Sequence, residues 1–193
     1  MLRHVNFLSV IALIFIVSVK MNAKESKSPD YTEYVAEVTS SFLKQTYKEY
    51  GFECGASGGQ MPYDIEEISI QLVAYRSATI EQARELEITL TERFAEIINT
   101  YEKIRPFLRE YPFPPSRVDV AISFKNPKRK KKVPMADDEV AFVFQAKNKI
   151  FYRAKNPSSP YVFKAISDEP YEEAREIVYK NALKKPQQEP KNL

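Results

Sequence analysis

The sequence predicts an α+β fold: a mainly antiparallel sheet of four to five strands with helices packed on one face, one long helix crossing the sheet. Three observations lead there. Residues 31–50 and 80–105 repeat apolar side chains at spacings of three and four, the mark of a helix with one buried stripe. At least three other segments alternate with a period of two, as strands do when one face is packed and the other partly wet. The order is helix, strand, long helix, three or four strands, helix, which makes a layer of helices on a sheet, without internal repeats.

Residues 1–23 read as a leader set apart from that domain. Arg3 and His4 make a short basic start, and the run Phe7 to Val19 is apolar except for Ser9 and Ser18. About thirteen apolar residues suit a signal peptide and fall short of the roughly 20 a spanning helix needs. Ala23 offers a cleavage position, although Met21 is bulkier than the small residue usual two places before it. The expectation is export, to the periplasm, the medium or a membrane surface. An uncleaved N-terminal anchor is the competing reading. Residues 24–183 then form one domain, and residues 184–193 a polar, flexible tail.

Asp30 with Glu33 three residues on is a capping box, opening a helix over about residues 31–50 whose stripe is Tyr34, Val35, Val38, Phe42, Leu43 and Tyr47. All four glycines of the chain, and its single cysteine, follow between residues 51 and 59. Gly51 suits the left-handed residue after a helix end. Gly55, Gly58 and Gly59 exceed what a helix stop requires, so residues 51–62 read as a glycine-rich loop. Cys54, Gly55, Ser57, Gly58, Gly59 and Gln60 are its candidate binding residues. Such a loop can offer successive N–H groups to an anion, but Gln60-Met61 stand where a phosphate-binding Lys-Ser/Thr pair belongs. Cys54, beside Glu53, is expected to be buried and inert.

Residues 64–76 form the first strand, with Ile68, Ile70, Leu72 and Ala74 on one face. Thr79 and Gln82 make a second capping box, and a helix over residues 80–105 would be on the order of 39 Å long. Its other face carries Glu81, Glu85, Glu92, Arg93, Glu96 and Glu102, read as a solvated surface. Pro106 ends it. The run Tyr111-Pro112-Phe113-Pro114-Pro115 is a stiff extended return with Tyr111 and Phe113 packed down. Strands follow at Val118–Phe124 and at Val140, Phe142 and Phe144. A tight Lys147-Asn148 turn leads into Ile150–Arg153, and Tyr161–Lys164 adds a short edge strand. A last helix, about residues 171–183, turns Ala174, Ile177, Val178 and Leu183 inward. The outer sheet face would carry Gln71, Tyr75, Asp119, Ser123, Gln145, Phe151 and Arg153.

Six of the ten residues from Lys125 to Pro134 are cationic. Lys128, Arg129, Lys130, Lys131 and Lys132 suit phosphates or anionic lipid, and resemble a short nuclear-import signal. A solvated hairpin tip, offset by Asp137, Asp138 and Glu139, is the favoured reading. Nucleic acid or anionic membrane is expected as a partner only through this segment.

Chemistry is bounded mainly by what is missing. Without residues 1–23 the chain has 27 basic and 26 acidic residues, no histidine and one cysteine. Zinc sites and Ser-His-Asp or Cys-His mechanisms lack their residues, so no metal, no cofactor and no catalytic residue is assigned. The balance leans against an enzyme.

The runs Gly55-Ala-Ser-Gly-Gly-Gln-Met-Pro62, Glu102-Lys-Ile-Arg-Pro-Phe-Leu108 and Tyr111-Pro-Phe-Pro-Pro115 resemble an uncharacterised family of small exported bacterial proteins. The resemblance covers most of residues 30–183 and implies no activity, cofactor or catalytic residue. The leading expectation is an exported, non-catalytic protein that binds a protein or surface partner. The alternatives are an effector or nucleic-acid-associated protein acting through residues 125–134, and an enzyme built on carboxylates or Cys54.

Overall fold

Six strands lie in one sheet in the order in which the chain makes them. They are β1 (Glu53–Gln60), β2 (Glu67–Ala74), β3 (Val118–Phe124), β4 (Phe142–Ala146), β5 (Lys149–Asn156) and β6 (Ser159–Pro170). Three helices accompany them, α1 (Asp30–Tyr50), α2 (Ile80–Thr100) and α3 (Tyr171–Lys184). The structure is a computed structural model that describes residues 30–126 and 139–184. The fold is α+β, but the sheet is larger than expected and mixed: β2 and β3 run parallel, with α2 as their crossover, and the other neighbours are antiparallel.

The alternation of β2 and β3 is as the sequence predicts. Ile68, Ile70, Leu72 and Ala74 lie beside Val118, Val120, Ile122 and Phe124, all buried beneath the helices. α2 packs across β3, β4 and β5, with α1 beside it near β1 and α3 near β5 and β6. Phe42 of α1 stacks on Phe94 of α2 at 4.5 Å between ring centroids, and both are fully buried. α1 ends as read: Gly51 has φ +70°, and its N–H donates to the Tyr47 carbonyl at 2.9 Å. Asp30, expected as the cap, is already helical.

α2 opens on the expected box, Thr79 accepting from the Gln82 N–H while the Gln82 side chain accepts from the Thr79 N–H. It stops five residues early, at Thr100, and is about 31 Å long. Asn99 explains where the chain goes next. Its side-chain amide donates to the Phe113 carbonyl and accepts from the Phe113 N–H, clamping the proline-rich return against the helix end. Phe113 is buried, whereas Tyr111, expected to pack down, is half exposed beneath the Arg105 guanidinium.

Three further differences have physical causes. Phe142 pairs with Ser123 on the open face, so Phe142 and Phe144 point outward while Val143 and Gln145 point inward. A one-residue change of phase moves every side chain to the other face. β6 is a 12-residue strand in place of a short edge piece, because its pairing with β5 is carried through two irregularities. In α3 only Tyr171 and Ala174 are buried; Leu183 is exposed and Ile177 about one-third so. The Lys147-Asn148 turn is as expected, with φ +50° and +59° at its two residues.

Candidate functional site

The glycine-rich segment is a strand, not a loop. From Cys54 to Gln60 it pairs with β2, and every residue in that span is exposed. A register shift between Cys54 and Ala56 makes Gly55 the extra residue of a bulge. Beyond the bulge, Ser57 and Gly59 sit opposite Ile70 and Ile68 on the helix face, and Ala56, Gly58 and Gln60 on the open face. Gly59 is required by contact: a Cβ there would lie 2.2 Å from the Glu67 carbonyl oxygen. At Gly58 the nearest atom would be 3.7 Å away, so that position is free to vary. Gly55, Gly58 and Gly59 all lack positive φ. An extended strand turns successive N–H groups to opposite edges, which removes the anion-cradle reading.

β1 is an edge of the sheet, and among the described residues no strand pairs with its outer side. Edge strands are usually blunted with charges or proline. The opposite edge, β6, carries Pro160, Lys164, Asp168 and Pro170. From Cys54 to Gln60, β1 carries no charge and no proline. Its one charged residue, Glu53 at the start, is held by the Tyr75 hydroxyl at 3.2 Å.

Beside this edge runs a groove of about 590 Å³ between α1 and β1, lined by Ala36, Leu43, Tyr47, Phe52, Cys54 and Ser57, with Lys44 on its wall. Tyr47, expected in the buried stripe, is 63% exposed here. Cys54, expected to be buried, is exposed, its thiol facing the Ala56 carbonyl at 3.6 Å. β1 is an edge strand exposed from Cys54 to Gln60, and Cys54 faces the open groove, so a small apolar residue ends at the surface.

The open face of the sheet is aromatic at its other end. Phe144 stacks on Phe142 and on Phe151, and Phe142 stacks on Phe163, at centroid separations of 5.1–5.7 Å. Arg153 lies over Phe144 and Phe151. Gln71 donates to the Ser123 hydroxyl at 3.0 Å on the same face. Lys125 is exposed at the end of β3; the basic residues Lys128, Arg129, Lys130, Lys131 and Lys132 lie outside the described residues.

Sequence reasoning missed a polar cluster inside the fold. Glu87 of α2 is fully buried, and the Gln145 backbone N–H beside its carboxyl falls short of full hydrogen-bond geometry. Burial, then the charge of Asp119, pushes its carboxyl well above the ordinary glutamate range, and the Gln145 backbone N–H offsets this only in part. Thr91 Oγ1, Gln145 Oε1, Tyr171 OH and Asp119 Oδ1 are also buried without partners. Asp119 is pushed up to about 6, by burial first and Glu67 second. The cluster forms where β3 and β4, joined by only two residue pairs, stop bonding to each other. The signal was legible: Ala83, Glu87, Leu90 and Phe94 step by four, three and four, so Glu87 falls on the buried stripe.

The acidic face of α2 is surface, as expected, and Glu92 and Arg93 tie it to the neighbouring helices. Glu92 accepts from Arg175 at 2.6 Å and from Tyr179 of α3, and Arg93 pairs with Glu49 of α1. No group of three or more acidic or cysteine ligands with metal-binding spacing occurs among the described residues. No protein-family model matches the chain, and no similar curated protein or solved structure was found.

Proposed function

We propose that the chain is an exported binding protein that takes an extended segment of a partner protein along the outer edge of β1. The observation that carries this reading is the contrast between the two sheet edges, one guarded by charge and proline, the other bare. A strand added there gains main-chain hydrogen bonds, and alternate side chains meet the groove beside Leu43 and Tyr47. Lys44 on the groove wall and Lys48 in the last turn of α1 favour acidic residues in that segment. The leader-like run from Phe7 to Val19 supports export, and the small exported family that the chain resembles is the setting we propose for it.

The test uses peptides selected from a random displayed library on the mature chain. Recovered peptides should alternate apolar residues and protect β1 amides from hydrogen exchange. Gly58→Lys, at a position with room for a side chain, should weaken them by about tenfold or more while leaving the melting temperature unchanged. Peptides that bind Gly58→Lys as tightly as the parent would sink the proposal. So would a β1-mediated dimer of this chain that excludes them.

A second reading is favoured by the stacked Phe142, Phe144, Phe151 and Phe163, with Arg153 over two of the rings. Aromatic platforms with cationic side chains over them hold single-stranded nucleic acid. Oligothymidylate should then bind with a steep salt dependence that Phe144→Ala weakens; a shallow or absent dependence rejects it.

A further inference from the structure

The β5–β6 hairpin runs on past its neighbour as a two-stranded arm. β4 pairs with β5 only as far as Arg153, whereas β5 and β6 stay joined through Ala154, Lys155 and Asn156. The arm shows side chains on both sides. Lys155 and Phe163 are cross-strand partners on the open face, where Phe163 is 50% exposed at the end of the aromatic row. Val162 and Lys164 alternate with Phe163 onto the helix side, Lys164 opposite Ala154. The helix layer leaves both open: Val162 is 57% exposed, and Lys164 is exposed. Among the described residues, Val162 and Phe163 are the only large exposed apolar side chains that are consecutive in the chain.

Charge at this end has one sign. Between Glu139 and Asp168 the chain holds five cations and no acid. Lys149 meets Asp168 at the far end of the hairpin, but among the described residues Lys155 and Lys164 have no ion-pair partner. Arg153, at the base of the arm, donates to two backbone carbonyls and to no carboxylate. A partner docked flat on the open face would leave Val162 and Lys164 in water. A fluid layer that closes around the arm meets all four side chains. The interface of a bilayer is such a layer: it takes apolar side chains at the acyl boundary while lysine stems reach back to anionic phosphates.

We propose that the tip of the β5–β6 arm inserts into the headgroup layer of an anionic membrane. Val162 and Phe163 enter the acyl boundary, and Lys155 and Lys164 meet lipid phosphates. β1 is the opposite edge of the sheet, five strand spacings or about 24 Å away, so a membrane-bound chain keeps its bare edge free. The arm shares no residue with the β1 groove and stands or falls independently of strand addition.

The chain has no tryptophan, so Phe163→Trp places a single fluorescent reporter on the arm. The mature chain carrying it is mixed with vesicles of equal phosphatidylglycerol and phosphatidylcholine, and with vesicles of phosphatidylcholine alone. Its emission should shift to the blue with the first and not with the second, and about 0.5 M salt should reverse most of the shift. Lys155→Gln and Lys164→Gln should each weaken vesicle binding about fivefold. Val162→Ser should weaken it about tenfold, and the melting temperature should hold in all three because these side chains are exposed. Serine at residues 128–132 controls for the basic segment and should leave the blue shift in place. Equal response to the neutral vesicles, or arm variants that bind as tightly as the parent, would overturn the assignment. So would loss of the shift in the serine control alone, or a shift produced by oligothymidylate and by neither vesicle.

Discussion

Replacing Glu87 with leucine should stabilise the protein at about pH 8 by roughly 1–3 kcal/mol. The carboxyl is fully buried and meets no donor at full hydrogen-bond geometry, so an apolar side chain removes a desolvation penalty at the loss of only the weak contact with the Gln145 N–H. The pH dependence follows from the direction of the shift. A glutamate held well above its ordinary value in the folded state contributes stability at acid pH that is lost as pH rises beyond the ordinary glutamate range. Asp119 acts in the same sense between 3.8 and about 6. The exposed Glu49 and Glu81 are held below the ordinary range, Glu49 chiefly by the Arg93 hydrogen bond and Glu81 by a backbone hydrogen bond; they act in the opposite sense, at lower pH. The gain from Glu87→Leu should therefore shrink as pH is lowered toward about 4. Urea unfolding of both proteins across this range measures it. A pH-independent loss of stability in the variant would mean that the Glu87 oxygens are satisfied in solution.

The second large effect is expected at Gly59. Gly59→Ala places a methyl group 2.2 Å from the Glu67 carbonyl oxygen, so β1 must shift away from β2 or β2 must distort. A cost of about 1–3 kcal/mol is expected, with loss of amide protection along β1. Gly58→Ala, one residue away, meets only the Ser69 hydroxyl at 3.7 Å and should be neutral or stabilising by up to about 1 kcal/mol. Thermal unfolding of the pair separates a steric requirement from a general taste for glycine. Equal effects at the two positions would show that the pairing with Glu67 is not held as described.

The parts of the fold that sequence reasoning reached were those whose side chains report their own environment. β2 and β3 alternate cleanly because one face is packed under helices, and α1 and α2 repeat with helical spacing for the same reason. β1 escaped because glycine has no side chain to alternate. Its identity as a strand resides in pairing with β2, which lies outside the segment itself. β4 was read in the wrong phase because phenylalanine is the stronger apolar signal, whereas the register with Ser123 sends Phe142 and Phe144 to the open face. That face keeps them by stacking them on one another and beneath Arg153. Of the residues first singled out, Cys54, Ser57 and Gly59 share the face of β1 that borders the groove, and Gly58 and Gln60 lie on the other. Glu87 and Tyr171 were hidden in helices whose apolar neighbours dominated the pattern, and Gln145 was assigned to the wrong side.

The sheet holds its strands in sequence order, and this has a consequence for assembly. No strand has to be threaded between two that are already joined. From β3 onward each strand bonds to its immediate predecessor, so that half can close hairpin by hairpin, β4 to β5 and β5 to β6 through two-residue turns. The one join that waits is β2 with β3, which must hold the ends of α2 and the proline-rich return together before it is rewarded. The ribosome delivers β1 and β2 first, yet they gain their lasting neighbour only when β3 arrives. Until then the bare edge that suits a partner strand is matched by a second one, and the young hairpin is the stage at which the chain is most open to pairing with the wrong neighbour.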